Sequence, residues 1–206
     1  MSAASVERPH TPRPLITLAH RLMDREPGLR AEIVGNQILA TPPPDGPHAR
    51  VLTKLMRPLI TAGLDDGPTE VLQGVGLWLP TGTEDYAVPD LAVVDADFAE
   101  HLVEFNSYDP VCFRMVLEVT SSNHGSDLRT KVAAYAAAKI PVYVIVNRRH
   151  ERLHVLTDPA AGDYATHRVH SPGERVTLPG FLGAEVVLDV SAVLAAGRPN
   201  PAPDDD

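Results

Sequence analysis

Residues 111–146 read VCFRMVLEVTSSNHGSDLRTKVAAYAAAKIPVYVIV, and the changes of period inside this stretch decide the fold. Val111–Thr120 is an apolar run rich in β-branched residues, which predicts a strand. Residues 121–126 are a polar loop, with Ser126 placed to cap a helix from Asp127 to about Ala138. Leu128, Val132 and Tyr135 centre the apolar arc of that helix at about 100° per residue. Pro141–Val146 is apolar throughout, as expected of a buried strand. Outward from there, Arg152–Thr157 pairs back on it, and residues 164–170 and 176–190 add β-structure before a helical turn at 191–196. Upstream, Asp90–Ala96 is a strand, residues 70–80 are a strand interrupted by glycines, and residues 81–89 are a loop. The segment 98–109 has no regular pattern. A helix runs from His48 to about Ala62, where Pro58 should kink or shorten it. Two short strands flank a tight turn at Gly35-Asn36, and a helix begins at Pro14 and stops at Pro27-Gly28. Strands mixed with a few helices in this order predict an α/β sandwich, a mixed central β-sheet flanked by helices.

The chain has 206 residues, one domain's length. Residues 1–13 and 197–206 are Pro-rich, polar and without apolar period, so the expected domain is 14–196 between two disordered tails. No apolar run reaches the roughly 18 residues that span a bilayer, and no secretory h-region opens the chain. Cys112 is the only cysteine, which excludes an internal disulfide and fits a reducing cytoplasm. The net charge of -9 argues against general polyanion binding, which needs clustered Lys and Arg. Only Lys54, Lys131 and Lys139 are lysines, so each one's position is informative.

Three constellations carry possible chemistry. His150-Glu151-Arg152-Leu153-His154 matches the zinc-protease pattern, but that chemistry needs a helix and these residues follow a strand, so a hairpin without zinc is expected. Ser121, Ser122, His124 and Asp127 resemble a hydrolase triad in composition only, since a triad converges from distant segments. The third is Asp90, at the mouth of one strand, with Glu118 near the end of another. By alternation Glu118 shares a face with Val116 and Arg114, so it is either an ion-paired or surface carboxylate, or one of two oxygen donors to a hard cation. Lys131 lies at the border of the apolar arc of the following helix, able either to reach the sheet or to pair with Asp127.

At these residues the chain resembles the bacterial Uma-two family of restriction-endonuclease-like proteins, a branch of the PD-(D/E)XK nuclease superfamily. The resemblance runs from about Leu15 to Val190. It rests on Val88-Pro89-Asp90-Leu91-Ala92-Val93-Val94, Leu117-Glu118-Val119-Thr120-Ser121, Asp127-Leu128-Arg129-Thr130-Lys131 leading to Tyr135, and Ile140-Pro141-Val142-Tyr143-Val144-Ile145-Val146. It implies a restriction-endonuclease-like sandwich and a metal-dependent endonuclease acting on DNA phosphodiesters. Asp90 and Glu118 would hold Mg²⁺ or Mn²⁺. Thr120 stands where the superfamily lysine is usual, and Lys131 takes that place in this branch. Glu32 matches the glutamate of the family's early hairpin, although the family's D-G turn is Gly35-Asn36 here and its second glutamate is Gln37. His48, Gln73 and Tyr135 stand as site neighbours. The implied partner is DNA, with no membrane and a homodimer left open. The alternative is an inactive nuclease-fold module used for binding or assembly, which the acidic charge and altered hairpin favour.

Overall fold

Residues 13–120, 125–160 and 162–199 are described by the computed structural model, with backbone only for 125–128. In chain order the elements are α1 (Pro14–Arg25), β1 (Arg30–Val34), β2 (Gln37–Thr41), α2 (Gly46–Thr61), β3 (Thr69–Leu72), β4 (Gly76–Trp78), β5 (Tyr86–Ala87), β6 (Leu91–Asp95), β7 (Leu102–Glu104) and β8 (Ser107–Tyr108). Then come β9 (Phe113–Thr120), α3 (Gly125–Ala137), β10 (Val142–Asn147), β11 (Arg152–Ala160), β12 (Asp163–His170), β13 (Arg175–Thr177), β14 (Val187–Asp189) and α4 (Val190–Ala196).

The long apolar runs form a mixed six-stranded sheet ordered β12-β11-β10-β9-β6-β3. Its one parallel pair, β9 and β10, is joined through α3, because parallel neighbours need a crossover rather than a hairpin. One face, with Leu91, Val93, Met115, Leu117 and Val144, packs on Val51 and Leu55 of α2 and on Val193 and Leu194 of α4. The other face, with Ala92, Val116, Tyr143 and Ile145, packs on Ala134 and Tyr135 of α3 and on a second six-stranded sheet, β2-β1-β5-β4-β8-β7. That second sheet turns its far side, through Ala31, Ile33 and Tyr86, to Ile16 and Ala19 of α1.

The expected mixed sheet flanked by helices is present, and three of the six strands of the second sheet come from segments read as loop or irregular. β5 lies in the expected loop 81–89, and β7 and β8 lie in 98–109. Strands of two or three residues contain no full alternation, so only their partners reveal them. The glycine-interrupted strand is two strands in different sheets, β3 and β4. Pro58 does not shorten α2, which runs to Thr61. In the last turn a proline removes only one intrahelical bond, at an end where carbonyls face water.

Local chemistry explains the remaining elements. Gly35 and Asn36 both have positive φ (60° and 59°), as a two-residue hairpin turn demands. Asp45 caps α2 by accepting from His48 N at 2.7 Å. The register shift between Val93 and Val94 skips Arg114, a bulge on β9. Arg114 therefore does not share a face with Glu118 as alternation predicts. It donates to Asp95 Oδ1 at 2.6 Å and to the Leu182 carbonyl at 3.4 Å. The folded body continues past Ala196, since the Gly197 carbonyl accepts from Arg148 and the Arg198 carbonyl from Arg50. Residues 1–12 and 200–206 of the expected tails lie outside the described residues. Among the described residues no helix is long and apolar enough to cross a membrane.

Candidate active site

Leu91 pairs with Leu117 across antiparallel β6 and β9, so the next register position sets Asp90 opposite Glu118. Both open towards the α3 side of the sheet. Strand alternation does the same for β1, where Arg30, Glu32 and Val34 share the face opposite Ala31 and Ile33. Helix α3 brings Lys131 and Tyr135, one turn apart, onto this point. The result is a buried ionic cluster. Glu32 is 1% exposed, Asp90 and Glu118 5% each, and Lys131 8%.

Lys131 Nζ lies 2.7 Å from Glu118 Oε1 and 2.9 Å from Glu32 Oε2. Tyr135 donates its hydroxyl to Glu118 Oε1 at 2.7 Å. Glu32 Oε1 also accepts from Val88 N at 2.6 Å, which ties the hairpin to the segment carrying Asp90. Asp90 Oδ1 accepts from Arg30 Nη1 at 3.0 Å and Oδ2 from Val119 N at 2.8 Å. His48 Nε2 stands 3.4 Å from Asp90 Oδ2. Arg30, Glu32, His48, Asp90, Glu118 and Lys131 open on a cleft of ≈ 560 Å³, which Tyr143 and Arg148 also line.

The electrostatics separate the two facing carboxylates. Burial, with the negative charges of Asp90 and Glu32, pushes the Glu118 carboxyl up to about 7 against the pull of Lys131. Burial also works to raise Asp90, but His48, Arg30 and the Val119 N–H outweigh it and hold this carboxyl below its usual value. Burial works against the Lys131 ammonium, and Glu118 and Glu32 together overcome it, so its pKa is raised. Lys131 faces two carboxylates, whereas Glu118 faces one ammonium and two like charges. That asymmetry keeps the proton on the lysine. Burial and the same carboxylates hold the Tyr135 phenol far above its ordinary range, as a donor.

The donor set suits a hard divalent cation in its chemistry, being carboxylate oxygen throughout. Both hydrogen bonds to Glu118 fall on Oε1, and Oε2 accepts none among the described residues. Each oxygen of Asp90 accepts from one protein donor, Oδ1 from Arg30 and Oδ2 from Val119 N, which leaves further lone pairs that would serve a cation.

Of the residues singled out in the sequence, Glu32, His48, Asp90, Glu118, Lys131 and Tyr135 converge here. Gln73 does not. Its amide reaches Met56 Sδ, and Met56 lies eight residues along α2 from His48, about 12 Å down the axis. Lys131 turns into the cluster, to Glu118 and Glu32. Arg30 was missed, although its place two residues before Glu32 on one strand was a usable signal. Arg148, bonded to Asp45 at 2.8 Å and 3.0 Å, left no comparable trace. The segment 150–154 is a turn leading into β11, and His154 Nδ1 meets His167 Nε2 on β12 at 2.9 Å, so the helical zinc geometry is absent. Ser121, Ser122 and His124 lie outside the described residues, as do the side chains of Ser126 and Asp127.

No curated protein matches the chain. The fold resembles that of a crystal structure from Anabaena variabilis described as "a putative nuclease belonging to DUF820", with a TM-score of 0.62 and 12% identity over 82% of this chain and 92% of that one. Residues 17–191 match the Uma2 family, described as "Putative restriction endonuclease". That match spans most of the chain and lies over a restriction-endonuclease-like fold, well beyond a local motif: the chain belongs to the Uma2 family.

Proposed function

We propose that this protein is a metal-dependent endonuclease that hydrolyses DNA phosphodiester bonds in the cleft between Asp90, Glu118 and Lys131. The observation that carries this reading is the opposed, buried Asp90–Glu118 pair with a lysine ammonium 2.7 Å from Glu118. Mg²⁺ or Mn²⁺ held by Asp90 and Glu118 would supply Lewis acidity and an acidified water at the phosphorus. The chain's own residues do the rest. Lys131, held protonated, offers a compact positive charge to the oxygens on which negative charge develops. Glu32 fixes the Lys131 amine from the far side and anchors Val88. Tyr135 holds Glu118 Oε1, which directs Oε2 to the cleft.

The test is supercoiled-plasmid cleavage in Mg²⁺ or Mn²⁺ with the parent and Glu118→Ala. Cleavage by the parent, reduced about a hundredfold or more in the variant, is expected if Glu118 holds the cation. A second reading, a non-cleaving module, draws on the protein donors held by both oxygens of Asp90 and on the charge of -9. A parent inert in both metals decides for it.

A further inference from the structure

Among the described residues, Arg30 is the one cation of the cluster left incompletely bonded. Its Nη1 holds Asp90 Oδ1 at 3.0 Å, while its Nε is buried with no hydrogen-bond partner. Its Nη2 makes no hydrogen bond among the described residues either. A guanidinium uses its Nε–Nη2 edge to grip planar or tetrahedral oxyanions two-handed, and that whole edge is unmatched here. The side chain is 31% exposed and lines the cleft beside His48 and Asp90. A buried donor without an acceptor is unfavourable, so the present arrangement is one that a better acceptor displaces.

Charge says which acceptor. Glu32, Asp90 and Glu118, counted as carboxylates, face Lys131 and Arg30, leaving one formal net negative charge among these five groups. A divalent cation turns this into one net positive charge, which a single phosphodiester neutralises. A cation held by Asp90 would draw on the same carboxylate that Arg30 now holds, and so would weaken the Arg30 contact. We infer that Arg30 is the phosphate-gripping residue of this cleft, resting on Asp90 in the free protein and passing to a phosphodiester oxygen pair of the nucleic acid when Asp90 takes a cation. The inference rests on the nuclease reading for its ligand and on the unmatched guanidinium edge for its residue.

The direct test is side-chain ¹⁵N NMR of the full chain in Mg²⁺, titrated with inorganic phosphate. The Arg30 Nε–H resonance is expected to shift to saturation, as it does when a bare donor gains an oxyanion. Arg30→Lys, which keeps the charge and loses the fork, is expected to weaken binding of a short DNA duplex tenfold or more while leaving the salt slope nearly unchanged. An Nε–H resonance that stays still throughout the titration overturns the inference, and this reading needs no variant to fold. The two hypotheses separate cleanly. A parent that cleaves plasmid with a still resonance removes the phosphate grip alone, and an inert parent whose resonance shifts keeps the grip and removes the nuclease.

Discussion

Lys131 shows what burial does to a residue whose spacing also suited a surface pair. It is 8% exposed and shared between Glu118 and Glu32, so removing it strands two carboxylates in an apolar layer. Lys131→Met is expected to cost about 3–5 kcal/mol in urea unfolding, the scale for breaking a buried pair from one side. A surface Asp127–Lys131 pair would cost only a few tenths of a kcal/mol. Adding Glu32→Gln to Lys131→Met should return part of the loss, because one uncompensated charge disappears; strictly additive losses would refute the shared pairing. Lys131→Arg is expected to leave plasmid uncleaved despite its charge, since a planar fork replaces a point charge between two carboxylates. A cleavage rate near the parent's would remove Lys131 from the mechanism.

At the scale of elements, the β1–β2 hairpin earns its precision from a residue far along the chain. Asp85, fully buried, accepts from Gly35 N at 2.7 Å, Asn36 N at 3.1 Å and Thr81 Oγ1 at 2.6 Å. This carboxylate locks the turn three residues after Glu32, and so sets how far Glu32 reaches towards Lys131. Asp85→Ala is expected to destabilise by about 3 kcal/mol or more, with faster amide exchange at Gly35 and Asn36. Unchanged exchange there would place the turn's stability elsewhere. The pairing of β4 with β8 depends on Gly76, where an added Cβ would stand 2.6 Å from the Asn106 carbonyl. Gly76→Ala should cost about 1–3 kcal/mol, read as a lower Tm, because backbone cannot yield as a side chain does.

For the molecule as a whole, the β11–β12 edge supplies a pH dependence. Burial, and then His167, Arg152 and other cationic neighbours, push the His154 pKa down to about 4 from 6.5. Between those values the unfolded chain binds a proton that the folded chain refuses, so stability falls as the pH drops through this window. Above pH 6.5 both states are neutral at this residue and the contribution is constant. Thermal melts of the parent are expected to decline from pH 6.5 towards pH 4.5 more steeply than those of His154→Gln. Parallel declines would show that other groups carry the acid sensitivity.

Periodicity alone determined the long strands β6, β9 and β10, the helices α1 and α2, and the hairpin turn at Gly35-Asn36, because each is decided by neighbours within a few residues. It also brought forward Glu118, a carboxylate in an otherwise apolar strand, and Asp90 at the mouth of another, a local anomaly readable without partners. Partners themselves were decided only in three dimensions. Glu32 meets Lys131 across 99 positions and Arg30 meets Asp90 across 60. No local pattern encodes such pairings. The second sheet belongs to the same class, since β5, β7 and β8 are too short to show a period and exist by pairing. Arg114 and Gln73 mark the boundary from the other side. A bulge redirects the first and the packing of α2 claims the second, so alternation and resemblance placed them where tertiary contacts do not.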